Sequence, residues 1–233
     1  ELGELLGRID ATSNARDLRP VRRLVGAALR RFGVPLDSQD LAKIEQLHGA
    51  FMTQGLDIRL TTFNRPVRPD YPTYRELLLE TDRDGRPAGY LVREDDFQYL
   101  KDLHRRDRIV PVVGDLGGDQ AMPAIARLLR ERRLAVSAFY TSNVEQYLLR
   151  QGRFERFARN VAALPHDARS VIIRSYFPYA RPHPHQVAGY NNVQVLQAVT
   201  SFLDAQARGG YDSYFELVTR DVLDPRDAAP VPR

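Results

Sequence analysis

Arg108-Ile109-Val110-Pro111-Val112-Val113, running straight into Gly114-Asp115-Leu116-Gly117-Gly118, is the stretch on which the fold class turns. A short apolar run of strand length, closed by glycines, has the pattern of a buried strand entering a tight turn. A helical stretch follows, with Met122, Ile125, Leu128 and Leu129 on one side and Pro123 suited to its first turn. Leu134–Tyr140 is a second apolar run, two helical pieces span Asn143–Leu164, and Ser170–Tyr176 is a third run. Strand, helix, strand, helix, strand at this spacing predicts parallel pairing through right-handed crossovers. The expected fold class is therefore α/β, a mostly parallel sheet with helices on both faces.

Toward the N-terminus the rhythm is helical. Leu18, Val21, Leu24, Val25, Ala28, Leu29 and Phe32 recur at three and four and end at Gly33. Leu41, Ile44, Leu47 and Phe51 repeat the pattern, opening near Asp37-Ser38 and stopping at Gly55. Glu1–Ile9 reads as part of another helix. A Pro-rich connection runs from Asn64 to Pro72; Tyr74–Glu80 is a short helix, and Asp84-Gly85 a turn. Glu94, Asp95 and Asp96 put acids in the first turn of a helix packed through Phe97, Leu100 and Leu103. The expected organisation is a helical segment over 1–72, an α/β part over 73–223, and a frayed tail over 224–233.

Composition narrows the function classes. At 233 residues and 43% hydrophobic, the chain can bury a sizeable core, and it holds no apolar run long enough to span a bilayer. With no cysteine there is no disulfide, thiolate metal site or cysteine nucleophile, which fits a cytoplasmic setting. The net charge is +4, and of 34 basic residues only Lys43 and Lys101 are lysines. The arginines are spread over the chain, so nucleic acid is a possible partner but not the favoured one. Their best cluster, Arg150, Arg153, Arg156 and Arg159, reads as the solvated side of a helix whose apolar stripe is Phe154, Phe157, Val161 and Leu164.

Ligands of open parallel sheets bind beyond the carboxyl ends of the strands, which nominates three segments. Gly114, Asp115, Leu116 and Gly117 give close backbone approach and a carboxylate able to accept from a ribose or an adenine amino group. The alternative is a tight turn with Asp119 as N-cap. This loop is neither a P-loop nor the dinucleotide fingerprint. Ser142 and Glu145 have capping-box spacing, which would leave Asn143 facing the sheet edge, with Tyr147 beside it. Arg174 could hold a carboxylate or phosphate in a bidentate pair, or pair with Asp115 or Glu145. His183-Pro184-His185 invites a metal reading, but no acidic or histidine partner sits at ligand spacing; a surface loop is expected and no metal. No Gly-x-Ser-x-Gly elbow occurs.

Three stretches carry a resemblance: Ile109 to Gly118, Val136 to Leu148 with its Ser-Asn-Val-Glu-Gln-Tyr-Leu string, and Leu164-Pro165 with Ser170 to Arg174. Together they resemble a family of uncharacterised bacterial proteins that are themselves similar in fold to class I S-adenosylmethionine-dependent methyltransferases. The likeness covers about Tyr90 to Tyr214 and implies a Rossmann-like sheet. It places Asp115 at the tip of the third strand, where related enzymes hold the adenine end, and Tyr140–Tyr147 after the fourth. It makes Asn192–Ala207 a helix, with Val193, Leu196, Thr200 and Leu203 inward, before a closing hairpin near Tyr211–Thr219.

Relatives carry upstream a first strand with a Gly-rich loop and a second ending in an acid; neither pattern is found here. The expectation is an incomplete domain whose sheet is completed by a preceding segment or a second chain. The implied cofactor is S-adenosylmethionine, bound by Gly114, Asp115, Leu116 and Gly117. Asn143, Glu145 and Tyr147 would be catalytic, and Ser142 and Arg174 would bind a small-molecule or still unknown methyl acceptor. The alternative is a non-catalytic binding or scaffold protein that keeps the fold.

Overall fold

The structure is a computed structural model that describes residues 2–12, 19–33, 35–60, 71–82, 84–87 and 89–224. The Pro-rich connection over 64–70 and the tail over 225–233 lie outside the described residues. The chain divides into two compact units, residues 1–110 and 111–233.

The first unit is helical: α1 (Leu2–Thr12), α2 (Arg19–Arg31), α3 (Ser38–Gln54), α4 (Tyr74–Leu79) and α5 (Glu94–Arg105). Two of these start on reciprocal caps. Asp37 accepts from the Gln39 and Asp40 N–H groups while Asp40 reaches back to Asp37, and Thr73 and Glu76 do the same for α4. Gly55 ends α3 at φ 57°, a conformation that glycine alone adopts without steric cost. The unit's buried cluster is small, Leu6, Leu56 and Leu78. Arg75 ties α1 and α4 together by donating to both Asp10 oxygens, at 3.1 and 2.7 Å, and to Asp57 at 3.0 Å.

The second unit is a mixed α/β body. Its elements run α6 (Ala121–Glu131), β1 (Ala138–Ser142), α7 (Val144–Arg150), α8 (Phe154–Ala163), β2 (Val171–Tyr176), β3 (Val193–Ala198), α9 (Val199–Ala207) and α10 (Tyr214–Thr219). β1 and β2 pair in parallel, as expected, with Ala138 opposite Val171 and Tyr140 opposite Ile173. β3 joins the other side of β2 antiparallel, Val195 opposite Arg174. The described sheet is thus mixed rather than mostly parallel.

Three expected elements differ. Residues 108–113 form no strand, and Val113 is fully exposed. A strand exists only by pairing, no described segment pairs with this one, and Pro111 removes a donor. The helix expected over Asn192–Ala207 is a strand up to Ala198 and helical only beyond it. Val193, Val195 and Gln197 are buried while Gln194 and Leu196 face out, the two-residue period of a half-buried strand. In place of a closing hairpin near Tyr211–Thr219 stands α10, capped by Ser213 accepting from the Glu216 N–H.

The core lies on one side of this sheet. Ile172, Val193 and Val195 pack with Leu148 of α7, Phe154, Phe157 and Val161 of α8, Phe202 of α9, and Leu217 and Val218 of α10. Phe157 touches Phe139, Phe154 and Phe202 with ring centroids about 6 Å apart, the spacing at which tilted aromatic pairs attract. The opposite sheet face carries Tyr140, Ile173, Ser175, Gln194 and Leu196; Tyr140 and Leu196 remain 57% and 39% exposed. Helices therefore cover one face of the described sheet, not both. Among the described residues no helix is long and apolar enough to cross a membrane.

Candidate functional site

β1 ends abruptly. Its register with β2 slips between Tyr140 and Ser142, and Ser142 sits at φ 55°, left-handed backbone that a serine adopts at a cost. The turn throws Asn143 into the N-cap position of α7, where its side chain makes no capping bond. The capping box expected of Ser142 and Glu145 does not form.

Glu145 instead points into the protein. Its Oε1 accepts from Thr141 Oγ1 at 2.9 Å and from Arg174 Nε at 2.9 Å. Arg174 Nη1 donates to Gln197 Oε1 at 2.8 Å, and Gln197 Nε2 donates to the Tyr211 hydroxyl at 2.9 Å. The guanidinium also lies 5.2 Å from the centre of the Phe202 ring. Glu145, Arg174 and Gln197 are all fully buried. A cap is worth about 1 kcal/mol. An arginine in a dry interior without its counter-charge costs several, so the ion pair takes the glutamate. Glu145 is thereby turned inward and fully buried, and of the two readings of Arg174 it is the pairing with Glu145 that the structure shows.

Above this network, on the open sheet face, lies a polar cluster that sequence reasoning missed. The Tyr140 hydroxyl is 3.1 Å from Ser175 Oγ, which accepts from Gln194 Nε2 at 3.0 Å. The hydrogen bond with Ser175 foremost, with the Gln194 and Ser142 side chains adding to it, holds the Tyr140 phenol below the ordinary tyrosine value despite partial burial. Tyr214 approaches the same rim from α10, its hydroxyl donating to Ser175 O at 2.7 Å and Ser142 O at 3.2 Å. Burial foremost, then the nearby Glu145 charge, pushes the Tyr214 phenol far above its ordinary value. Asn143 is half-buried and Tyr147 is 52% exposed at this rim.

The glycine loop is a self-contained turn. Asp115 Oδ1 accepts from the Gly117 N–H at 2.8 Å, the Gly118 N–H donates to Asp115 O at 2.9 Å, and Oδ2 pairs with Arg153. From α8, Asn160 Nδ2 donates to Leu116 O at 2.8 Å and Gly118 O at 2.7 Å. A Cβ on Gly114 would stand 2.2 Å from the Ala121 Cβ, so glycine here admits the start of α6. Gln120, not Asp119, is the N-cap of α6, and it caps with no side-chain bond. A concavity of about 320 Å³ remains beside the loop, lined by Val113, Gly114, Asp115, Gly118 and Asp119. Of the arginine cluster, Arg153 and Arg156 are drawn to this loop, the second lying 3.8 Å from Asp119.

His183 is buried rather than displayed: its Nε2 faces Val218 O at 2.9 Å, and its Nδ1 accepts from the His185 N–H at 3.1 Å. Among the described residues no group of three or more histidine or acidic side chains is placed to hold a metal ion.

The chain belongs to the family described as a domain of unknown function, DUF7790, which matches residues 41–221. No curated protein matches it.

Proposed function

We propose that the second unit is a methyltransferase-like domain with a Rossmann-like sheet, binding S-adenosylmethionine or a related nucleoside at the carboxyl edge of its strands. The observation that carries this is the end of the parallel β1–β2 pair. A left-handed turn at Ser142 and an unbonded Asn143 N-cap stand there beside solvent-facing polar groups, where ligands of such sheets bind.

The residues present fit the nucleoside end of the group. The concavity beside the glycine loop is at the small end of the range for ligand sites, about 300–1,000 Å³. It is lined by two carboxylates, Asp115 and Asp119, that can accept from hydroxyls or an exocyclic amine. Of the four loop residues expected to bind it, Gly114 and Asp115 line the concavity and would hold it, while Leu116 packs into the core and Gly117 is buried beneath; when bound it supplies an activated methyl group. The chain's own part is chiefly to position. Ser142 and Asn143 bind the acceptor, Tyr147 screens it, and Glu145 and Arg174 hold the strand ends from below. The outer edge of β1 is paired by further strands, from a preceding segment or a second polypeptide, in a cytoplasmic protein.

Titration calorimetry of the whole protein with S-adenosylhomocysteine is the test. One-to-one binding, weakened about tenfold by Asp115→Asn through loss of a charge-assisted bond, is expected; absence of heat with either nucleoside overturns the assignment. A second reading, a binding protein that keeps the fold without catalysis, is favoured by the occupied state of both Asp115 oxygens. It predicts that Asp115→Asn lowers stability and leaves any ligand affinity unchanged.

A further inference from the structure

We propose that Tyr140 is the proton-exchanging residue of this rim, serving an acceptor that carries a hydroxyl or an amine. The inference rests on the methyl-transfer reading for what the acceptor receives, but its chemistry is read from the tyrosine's own surroundings. Glu145, the carboxylate expected to do this work, is fully buried and engaged by Thr141 and Arg174. Tyr140 is the opposite case: the residue is more than half exposed, and its hydroxyl lies 3.1 Å from Ser175 Oγ, which Gln194 holds in place.

The arrangement has a direction. Gln194 Nε2 can only donate, so Ser175 Oγ accepts from it and keeps its own proton free to point at the phenol oxygen 3.1 Å away. Ser175 is buried, which fixes this donor, whereas the phenol it serves opens to solvent. Such a relay stabilises a phenolate and leaves the phenol less to gain. Of the titratable groups around it, Tyr214 on α10 is the second phenol; its proton is committed to the Ser142 and Ser175 carbonyls. Glu145 on α7 and Arg174 on β2 lie buried on the other side and neutralise each other. Tyr147 on α7 is a further exposed phenol; Tyr140 is the rim phenol whose oxygen is met by a fixed side-chain donor.

The step balances without a further reagent. As the acceptor's oxygen or nitrogen forms its bond to the methyl carbon, the carbon–sulfur bond breaks with its electron pair left on sulfur. The acceptor's O–H or N–H bond breaks, and its proton passes to the Tyr140 phenolate oxygen. Water takes that proton away before the next turnover, so the rim works better as the solution becomes more alkaline.

Absorbance titration near 295 nm, which reports phenolate formation, tests this on the whole protein without any nucleoside. The difference between wild type and Tyr140→Phe is expected to be a single-tyrosine step below the ordinary value of 10.0, and Ser175→Ala is expected to move that step upward. Tyr140→Phe removes one hydroxyl from a residue 57% exposed, and circular dichroism on the same samples verifies that it folds. A difference step at or above the ordinary value, or one indifferent to Ser175→Ala, overturns the proposal. Because the optical step needs no cofactor, its presence alongside a failed calorimetric titration would sink the methyl-transfer reading while leaving the proton-exchanging tyrosine in place.

Discussion

Replacing Arg174 by methionine deletes the positive half of a pair that has no access to water, both side chains being 0% exposed. Methionine matches the arginine stem in length and leaves no large void. What changes is electrostatic: the Glu145 carboxylate keeps the Thr141 hydroxyl and loses its counter-charge, while Gln197 Oε1 loses its donor at 2.8 Å. Breaking a buried pair from one side costs about 3–5 kcal/mol. The orphaned amide oxygen and the lost contact with Phe202 argue for the upper half of that range. For a chain of this size each kcal/mol moves the melting point by about 2–4 °C, so a fall of roughly 8–20 °C is expected in a thermal melt followed by circular dichroism. The double variant Glu145→Leu/Arg174→Met removes both charges and should regain most of the loss, since a pair in an apolar interior contributes little net stability. Near-wild-type melting of the single variant, or a double variant that loses more than the single, would refute the claim that the pair is an electrostatic unit.

Four smaller predictions accompany it. Asn160→Ala strips the donor from Leu116 O and Gly118 O; it should cost about 1–3 kcal/mol and accelerate amide hydrogen exchange at Gly117 and Gly118. Gly114→Ala sets a methyl 2.2 Å from the Ala121 Cβ. A loss of about 1–3 kcal/mol by overpacking is expected in urea denaturation. Ser142→Gly relieves the left-handed backbone at φ 55° and should raise stability by about 1 kcal/mol, read by the same assay. The Tyr214 phenol is raised in the folded protein, so its folded form holds a proton that the unfolded chain releases above 10.0. Its contribution is complete below that pH and is lost as pH rises beyond it, and Tyr214→Phe should flatten the alkaline limb of the stability–pH curve.

Local signals carried much of the fold. The acids of α5, the stop at Gly55 and the apolar runs at β1 and β2 were legible because each is decided within a few residues. β3 was not, since Val193, Leu196, Thr200 and Leu203 also match helical spacing, and only pairing with β2 selects the two-residue period. Residues 108–113 show the converse: a strand-like composition does not make a strand where no described segment pairs with it. At the site, spacing suggested a cap for Glu145, but its choice depended on Arg174, 29 residues away. The alternative that Arg174 pairs with Glu145 was visible in the sequence; that the pair would be dry was not. Tyr140 enters the sequence reading only as the first residue of the Tyr140–Tyr147 segment, because nothing in its own stretch marks it for chemistry. Its significance comes from Ser175, 35 residues further on, and from Gln194 on a strand misread as helix.

The two carbonyls clamped by Asn160 bear on how any occupant would be received. With its shape held from behind by a helix and from within by Asp115, the glycine loop has little freedom left to surrender when a molecule arrives. Selectivity there must come from outline and charge rather than from a closing movement. Change among family members should accordingly fall on side chains around the hollow, while the backbone beneath keeps one contour.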